Sequence, residues 1–196
     1  DNLVLSLGAS PIKPPIAGID RENILTLRSL ADADKIKAYI AKNNSQKAVV
    51  VGGGFIGVEV AENLIEMGLN TSLIELAPQI LAPVDEEIAV FAQNELRKYG
   101  CKLILNDGVK SFGENEIETN SGERIAYDIA ILAIGVKPDT EIAEKAGLKL
   151  GINRAIIVNE SMQTSDPNIY AGGDAVQISD FVLNEPALIP LAGPAN

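Results

Sequence analysis

The chain has 196 residues, 46% of them apolar, enough for a sizeable core in one or two domains. Its formal charge of −11 argues against nucleic acid and anionic membrane as partners, since both select basic surfaces. The absence of histidine removes Ser-His-Asp triads, Cys-His pairs and histidine-based metal sites together, and a single cysteine leaves no internal disulfide.

Asn2 to Leu7 reads as a short strand leading into Gly8-Ala9-Ser10. Pro11 to Gly18 holds three prolines and is expected as an extended connection. A helix is expected over roughly Ser29 to Ala41, although Leu30, Ala33, Ile36, Ala38 and Ile40 only partly keep helical period; Asn43, Asn44 and Ser45 end it.

Val49 to Glu75 then organises the chain as strand, glycine turn, helix, turn and second strand. Val49, Val50 and Val51 are the β-branched run of a strand buried on both faces, and Gly52, Gly54 and Gly57 supply a GxGxxG pattern. Gly52 permits the tight turn, Gly54 lets the backbone approach a pyrophosphate, and Gly57 lets the helix pack on the strand. The helix N-terminus offers unpaired N–H groups and a positive dipole end to an anion. Ile56, Val60 and Leu64, with Ala61 and Ile65 beside them, are expected to face the sheet, and Gly68 to end the helix at C′. The next strand, Thr71 to Ile74, ends at Glu75, an acidic residue placed to accept from an adenosine ribose. Leu76, Ala77 and Pro78 offer no cation for a 2′-phosphate, so this is read as an NAD-binding βαβ unit rather than an NADP one.

Pro78 and Pro83 mark a loop, and Asp85 begins a helix with Glu86 and Glu87 in its first turn and Arg97 and Lys98 in its last. Ile88, Phe91 and Leu96 are its expected apolar face. After Gly100 comes a strand, Cys101 to Leu105, in which the cysteine reads as a small buried hydrophobe. Val109 to Phe112, Glu116 to Thr119 and Arg124 to Ala126, separated by turns at Gly113 and Gly122, read as an antiparallel meander. Ile129 to Ile134, ending at Gly135, suits another buried parallel strand. A short helix, Glu141 to Ala146, is stopped by Gly147; strands at Ala155 to Val158 and Asn168 to Ala171 follow, the second running into Gly172-Gly173-Asp174. The longest apolar stretch, Ile129 to Val136, is far short of the roughly twenty residues that span a bilayer, and no signal peptide opens the chain, so a cytoplasmic location is the default expectation.

These stretches resemble the flavin-dependent pyridine nucleotide-disulfide oxidoreductases, and within them the coenzyme A-disulfide reductase, NADH oxidase and NADH peroxidase group. LVLSLGASP at Leu3 to Pro11 is similar to the segment leaving the flavin domain, with Ser6-Leu7-Gly8 where the family usually has ATG. GGGFIGVEVAENL is similar to the NAD fingerprint, AIGVKPDT to the exit from the NAD domain, IYAGGDAV to a second FAD-binding motif, and LIPLAGPAN at Leu188 to Asn196 to a segment approaching the flavin ring.

The resemblance implies an α/β fold: a Rossmann-like NAD-binding domain over 20–138, with a parallel sheet and an antiparallel three-stranded meander. Pieces of an incomplete FAD-binding domain, 1–19 and 139–196, would flank it. It also implies roles. Asp174, with Gly173, would hold the FAD ribityl chain, Gly135 would lie beside the NAD, Phe55 would gate nicotinamide from flavin, and Glu59, placed in the first helical turn, would lie near the carboxamide. Ile56 joins the cofactor-contacting set with Gly52, Gly54, Gly57 and Glu75. Plain structural readings stand beside these: Asp174 as a turn or cap, Gly135 as a turn, Phe55 as core, Glu59 as a dipole-complementing charge. The family's own FAD glycine turn and redox cysteine do not occur before Gly52, and its C-terminal dimerisation domain does not follow within Asn196. With no initiator methionine, the chain is therefore expected to be an internal fragment of an FAD-dependent NADH oxidoreductase, homodimeric as a parent, and inactive alone. A non-catalytic NAD-binding module and a self-contained Rossmann dehydrogenase are the alternatives. No side chain stands out as a catalytic acid or base, since cofactors carry such chemistry.

Overall fold

The computed structural model describes residues 1–191 and divides by contact into two units: residues 11–135, and residues 1–10 together with the stretch from Val136 onward. In chain order the first elements are β1 (Leu3–Leu5), β2 (Ala9–Pro11), β3 (Ile24–Thr26), α1 (Leu30–Asn43) and β4 (Lys47–Val51). Then come α2 (Phe55–Glu66), β5 (Asn70–Ile74), α3 (Glu86–Lys98) and β6 (Lys102–Ile104). β7 (Val109–Phe112), β8 (Glu116–Thr119) and β9 (Arg124–Ala126) precede β10 (Ile129–Leu132). β11 (Val136–Pro138), α4 (Glu141–Lys145), β12 (Ile156–Ile157), β13 (Ile169–Ala171), β14 (Val176–Ser179) and β15 (Pro186–Ala187) follow.

The central unit is built on a five-stranded, wholly parallel sheet in the order β3-β10-β4-β5-β6. β4 from Ala48 and the whole of β10 read as continuous apolar runs because both faces are covered, and alternation distributes the strand side chains between two cores. Ala48, Val50, Leu73, Ile129 and Ile131 face Ile36 and Ile40 of α1, Val60, Ala61 and Leu64 of α2, and Leu96 of α3. Val49, Val51, Ile74, Ala130 and Leu132 face the other way, onto Phe112, Ile117 and Ile125 of the antiparallel meander β7-β8-β9. The unit thus has three layers, helices, parallel sheet and meander, in a Rossmann-like arrangement.

Each helix has legible ends. Ser29 and Asp32 form a reciprocal capping box at the start of α1. At the end of α2, Gly68 N–H reaches Ile65 O (2.8 Å) and Leu69 N–H reaches Leu64 O (3.0 Å), the two bonds of a Schellman motif. Asp85 holds the N-cap position of α3, but its carbonyl, not its side chain, accepts the first bonds.

The outer unit is smaller. β1 pairs in parallel with β13, β12 with β14 in parallel, and β14 with β15 antiparallel. Ala143, Leu148, Ile156, Ala171 and Val176 form its buried cluster.

Several expectations change. Ile88 and Phe91 of α3 are exposed at 57% and 74%; the buried row is Ala89, Gln93 and Leu96, and the polar Gln93 hides it from a hydropathy reading. Ile56 does not face the sheet but is 41% exposed, because the buried face of α2 is Gly57, Val60, Ala61 and Leu64. Glu59 is the fifth residue of α2, beyond its first turn. The strand Ile24–Thr26 joins the central sheet at its edge, beside β10, where no strand was expected. Residues 11–18 are not a free connection: Ala17 O accepts Phe112 N–H (2.8 Å), and Ile16 and the following Ile19 join the core under the meander. Among the described residues no helix is long and apolar enough to cross a membrane.

Candidate functional site

β4 is where the strand order turns. From it the chain proceeds through α2 to β5 and on to β6 in one direction, while β10 and β3 lie on the other side. The crevice beyond the carboxyl ends of β4 and β10 is a topological switch point, the place where open α/β sheets bind ligands. Gly52 to Gly54, between β4 and α2, form one lip; Ala133 to Gly135, after β10, form the other.

Each glycine of the turn meets a different neighbour. Gly52 sits at φ +107°, and a Cβ there would lie 2.6 Å from the Ala133 carbonyl carbon. A Cβ at Gly57 would fall onto the Gly52 carbonyl oxygen, so α2 can come this close to the strand end only because position 57 carries no side chain. At Gly54 a Cβ would meet nothing within 4 Å, and the backbone is ordinary (φ −72°, ψ −174°). Gly54 is the N-cap of α2, no side chain caps that end, and the first turn carries no acidic residue. The first N–H groups of α2 thus have no side-chain cap, and the space where a Gly54 side chain would stand is open. Gly53, the middle one of the three consecutive glycines, is packed from outside: a Cβ there would lie 2.8 Å from Ile80 Cγ2.

Glu75 lies directly beyond β5, half-buried, with both oxygens engaged. Oε2 accepts from Gly53 N–H (2.5 Å) and Oε1 from Ala77 N–H (2.7 Å). A carboxylate oxygen has two lone pairs, so each keeps one acceptor site for a hydroxyl. Phe55 and Ile56, at the start of α2, are 47% and 41% exposed, and Glu59 is exposed one turn further on. Gly135 is exposed, and its carbonyl accepts from Ile12 N–H (3.0 Å). The fold thus brings Gly52, Gly54, Gly57, Glu75 and Gly135 to one end of the central sheet, with Phe55, Ile56 and Glu59 on the helix that begins there. Gly53, Ile80 and Leu81 belong to this place and are absent from the expected set; the run of three glycines was the one available signal, and it concerned Gly53 alone.

Below the site, Asp107 follows β6 and binds the meander. Ser121 Oγ donates to its Oδ2 (2.6 Å), and the Gly108 and Ser121 N–H groups donate to its Oδ1. The Ser121 hydroxyl, and then that of Thr119, hold the Asp107 carboxyl below the usual carboxylate range. Burial pushes the Cys101 thiol up to about 11, so at neutral pH it is neither nucleophile nor metal ligand.

Gly173 and Asp174 lie in the outer unit. Gly172 N–H donates to Leu5 O (3.0 Å), which ties the end of β13 to β1, and a Cβ on Gly173 would stand 3.6 Å from Ser6 Oγ. Asp174 is half-buried, and its carboxylate has no hydrogen bond among the described residues. Residues 192–196 of the expected flavin-approaching segment lie outside the described residues.

The family model of the pyridine nucleotide-disulphide oxidoreductases matches residues 1–193. A relative from Methanocaldococcus jannaschii, an NADH oxidase, is 42% identical over 194 residues, covering 97% of this chain and 43% of its own. The crystal structure of reduced CoADR-RHD of Bacillus anthracis is 46% identical, with a TM-score of 0.97 over 100% of this chain and 36% of that one. The water-forming NADH oxidase of Lactobacillus brevis, solved bound to NADH, is 31% identical with a TM-score of 0.90, covering 100% of this chain and 44% of that one. The chain spans less than half the length of the curated relatives it matches. A match along nearly its whole length, on a parallel sheet with a glycine turn at the switch point, makes the chain a member of the pyridine nucleotide-disulphide oxidoreductase family.

Proposed function

We propose that the central unit binds NADH at the β4–α2 turn, and that the chain is the NADH-binding portion of an FAD-dependent pyridine nucleotide-disulfide oxidoreductase. The observation that carries this reading is the contrast within the glycine turn: Gly57 closes against Gly52, whereas Gly54 opens onto space that no atom within 4 Å of its missing Cβ fills. A pyrophosphate would take that space, held by the N–H groups of the α2 start. Glu75, with one lone pair left on each oxygen, would accept from the adenosine ribose and would repel a 2′-phosphate. Phe55, Ile56, Glu59 and Gly135 would meet the nicotinamide half.

Bound together, the two cofactors would supply hydride transfer from nicotinamide to flavin and on to a disulfide, dioxygen or peroxide. The chain's own part is to bind and orient. Gly173 and Asp174 would contribute to the flavin ribityl site, but the flavin pyrophosphate needs a second glycine turn and helix N-terminus, and this chain uses its one GxGxxG for NAD. Homodimerisation of the parent and a cytoplasmic location belong to the same reading. Calorimetry with NADH and NADPH on the purified chain tests it: NADH binds more tightly, and equal or tighter binding of NADPH overturns the assignment of Glu75.

A further inference from the structure

The loop between β5 and α3 is not slack. Leu81 sits at φ +52°, a left-handed conformation that a leucine adopts only when its surroundings impose it. Its N–H donates to Gly53 O at 2.7 Å. The rest of the loop holds it there: Val84 N–H donates to Leu81 O (2.9 Å), Gln79 Nε2 donates to Val84 O (2.8 Å), and the Ile80 side chain is fully buried against the Cα of Gly53.

Two successive peptides of the glycine turn are therefore pinned from outside. The Gly52–Gly53 peptide is held through its N–H by Glu75, and the Gly53–Gly54 peptide through its C=O by Leu81. A trans peptide is planar, with its N–H and C=O pointing in opposite directions. Fixing Gly53 O on the loop side turns the Gly54 N–H away from the loop. We propose that Leu81 is a positioning residue of the dinucleotide site: through Gly53 O it sets the direction of the Gly54 N–H, a donor to the pyrophosphate. This rests on the NADH-binding reading above and adds to it a residue that touches no part of the ligand. A donor already aimed does not have to be ordered when the ligand arrives, and affinity rises accordingly.

The test separates backbone from side chain. Leu81→Gly and Leu81→Asn keep the N–H and accept positive φ; Leu81→Val keeps the N–H but resists positive φ, and Leu81→Pro has neither. The readout is the ratio of adenosine to ADP dissociation constants on the full chain, because only ADP carries a pyrophosphate; circular dichroism at the same temperature reports folding. In the Val and Pro variants the ADP advantage shrinks about tenfold, the effect of one charge-assisted hydrogen bond, while Gly and Asn retain it. A ratio preserved in Val and Pro overturns the inference, and a Gly variant that loses the ratio overturns it even if Val and Pro do not fold. A role confined to stability lowers the melting temperature and leaves the ratio unmoved, which also overturns the inference. If the unaltered chain binds neither NADH nor ADP, the NADH reading falls and this inference with it.

Discussion

The two units bury their chain to different degrees. Residues 11–135 contain a sheet covered on both faces, with fully buried strand residues such as Val49, Val50, Leu73, Ile129 and Ile131. The outer unit has strands of two to four residues and one small cluster, and it leaves Leu3, Val4 and Phe181 exposed at 52%, 69% and 99%. One is a continuous stretch of chain with two large buried clusters; the other joins residues 1–10 to the stretch from Val136 onward around one smaller cluster. The same contrast runs through the sites. Glu75 is locked by two backbone donors, whereas the Asp174 carboxylate has no bond among the described residues.

The sharpest way to break this comparison is to cut along it. Residues 11–135 alone should melt cooperatively, and residues 1–10 joined by a short linker to residues 136–196 should give no cooperative transition by circular dichroism. A cooperative transition in the second and none in the first would reverse the assignment of cores. Within the central unit, Gly57→Ala forces a methyl onto the Gly52 carbonyl and should destabilise by about 3 kcal/mol, the upper range of overpacking, measured by urea denaturation.

Gly54→Val should cost the fold only about 1 kcal/mol, the change at an N-cap, and yet abolish NADH binding, because its side chain enters open space inside the proposed pyrophosphate site. Normal NADH binding by this variant would place the phosphate site elsewhere. Glu75→Ala should weaken NADH about tenfold by calorimetry, since a hydrogen bond to a charged group contributes roughly 1.5–3 kcal/mol. Asp174→Ala should leave NADH affinity unchanged, and the purified chain should be colourless. A yellow preparation with about one FAD per chain would show the outer unit to be a finished flavin site.

The smallest effect concerns Cys101. Its thiol is raised in the fold from 9.0 to about 11, so the folded chain holds a proton that the unfolded chain releases first. Stability from this group is full below about pH 9 and falls as pH rises toward 11. Cys101→Ala should flatten the alkaline arm of the stability profile.

Much of this molecule is legible in its residues. β4, α2 and β5 follow from a β-branched run, three spaced glycines and a Schellman glycine, and the meander from turns at Gly113 and Gly122. What escapes is set by distant partners. Ile24–Thr26 carries no alternation; it is a strand because β10 lies beside it. The buried row of α3 is masked by Gln93, and Ile56 is exposed because the face of α2 turned to the sheet is Gly57, Val60, Ala61 and Leu64. Nothing in a leucine announces φ +52°, so the clamp on Gly53 shows only once the loop is folded.

The unequal surroundings of the three fingerprint glycines also bear on how such a chain can drift over generations. Positions 52 and 57 are each closed by backbone: a side chain at 57 meets the Gly52 carbonyl, and one at 52 meets the Ala133 backbone at a φ of +107°, so neither tolerates a replacement by itself. Position 54 is free of that constraint. A library of this chain sorted only for survival of the fold would keep glycine at 52 and 57 and randomise 54, and glycine would persist at 54 only in a library sorted on nucleotide. The three positions therefore answer to two separate demands, one of architecture and one of use, within one motif.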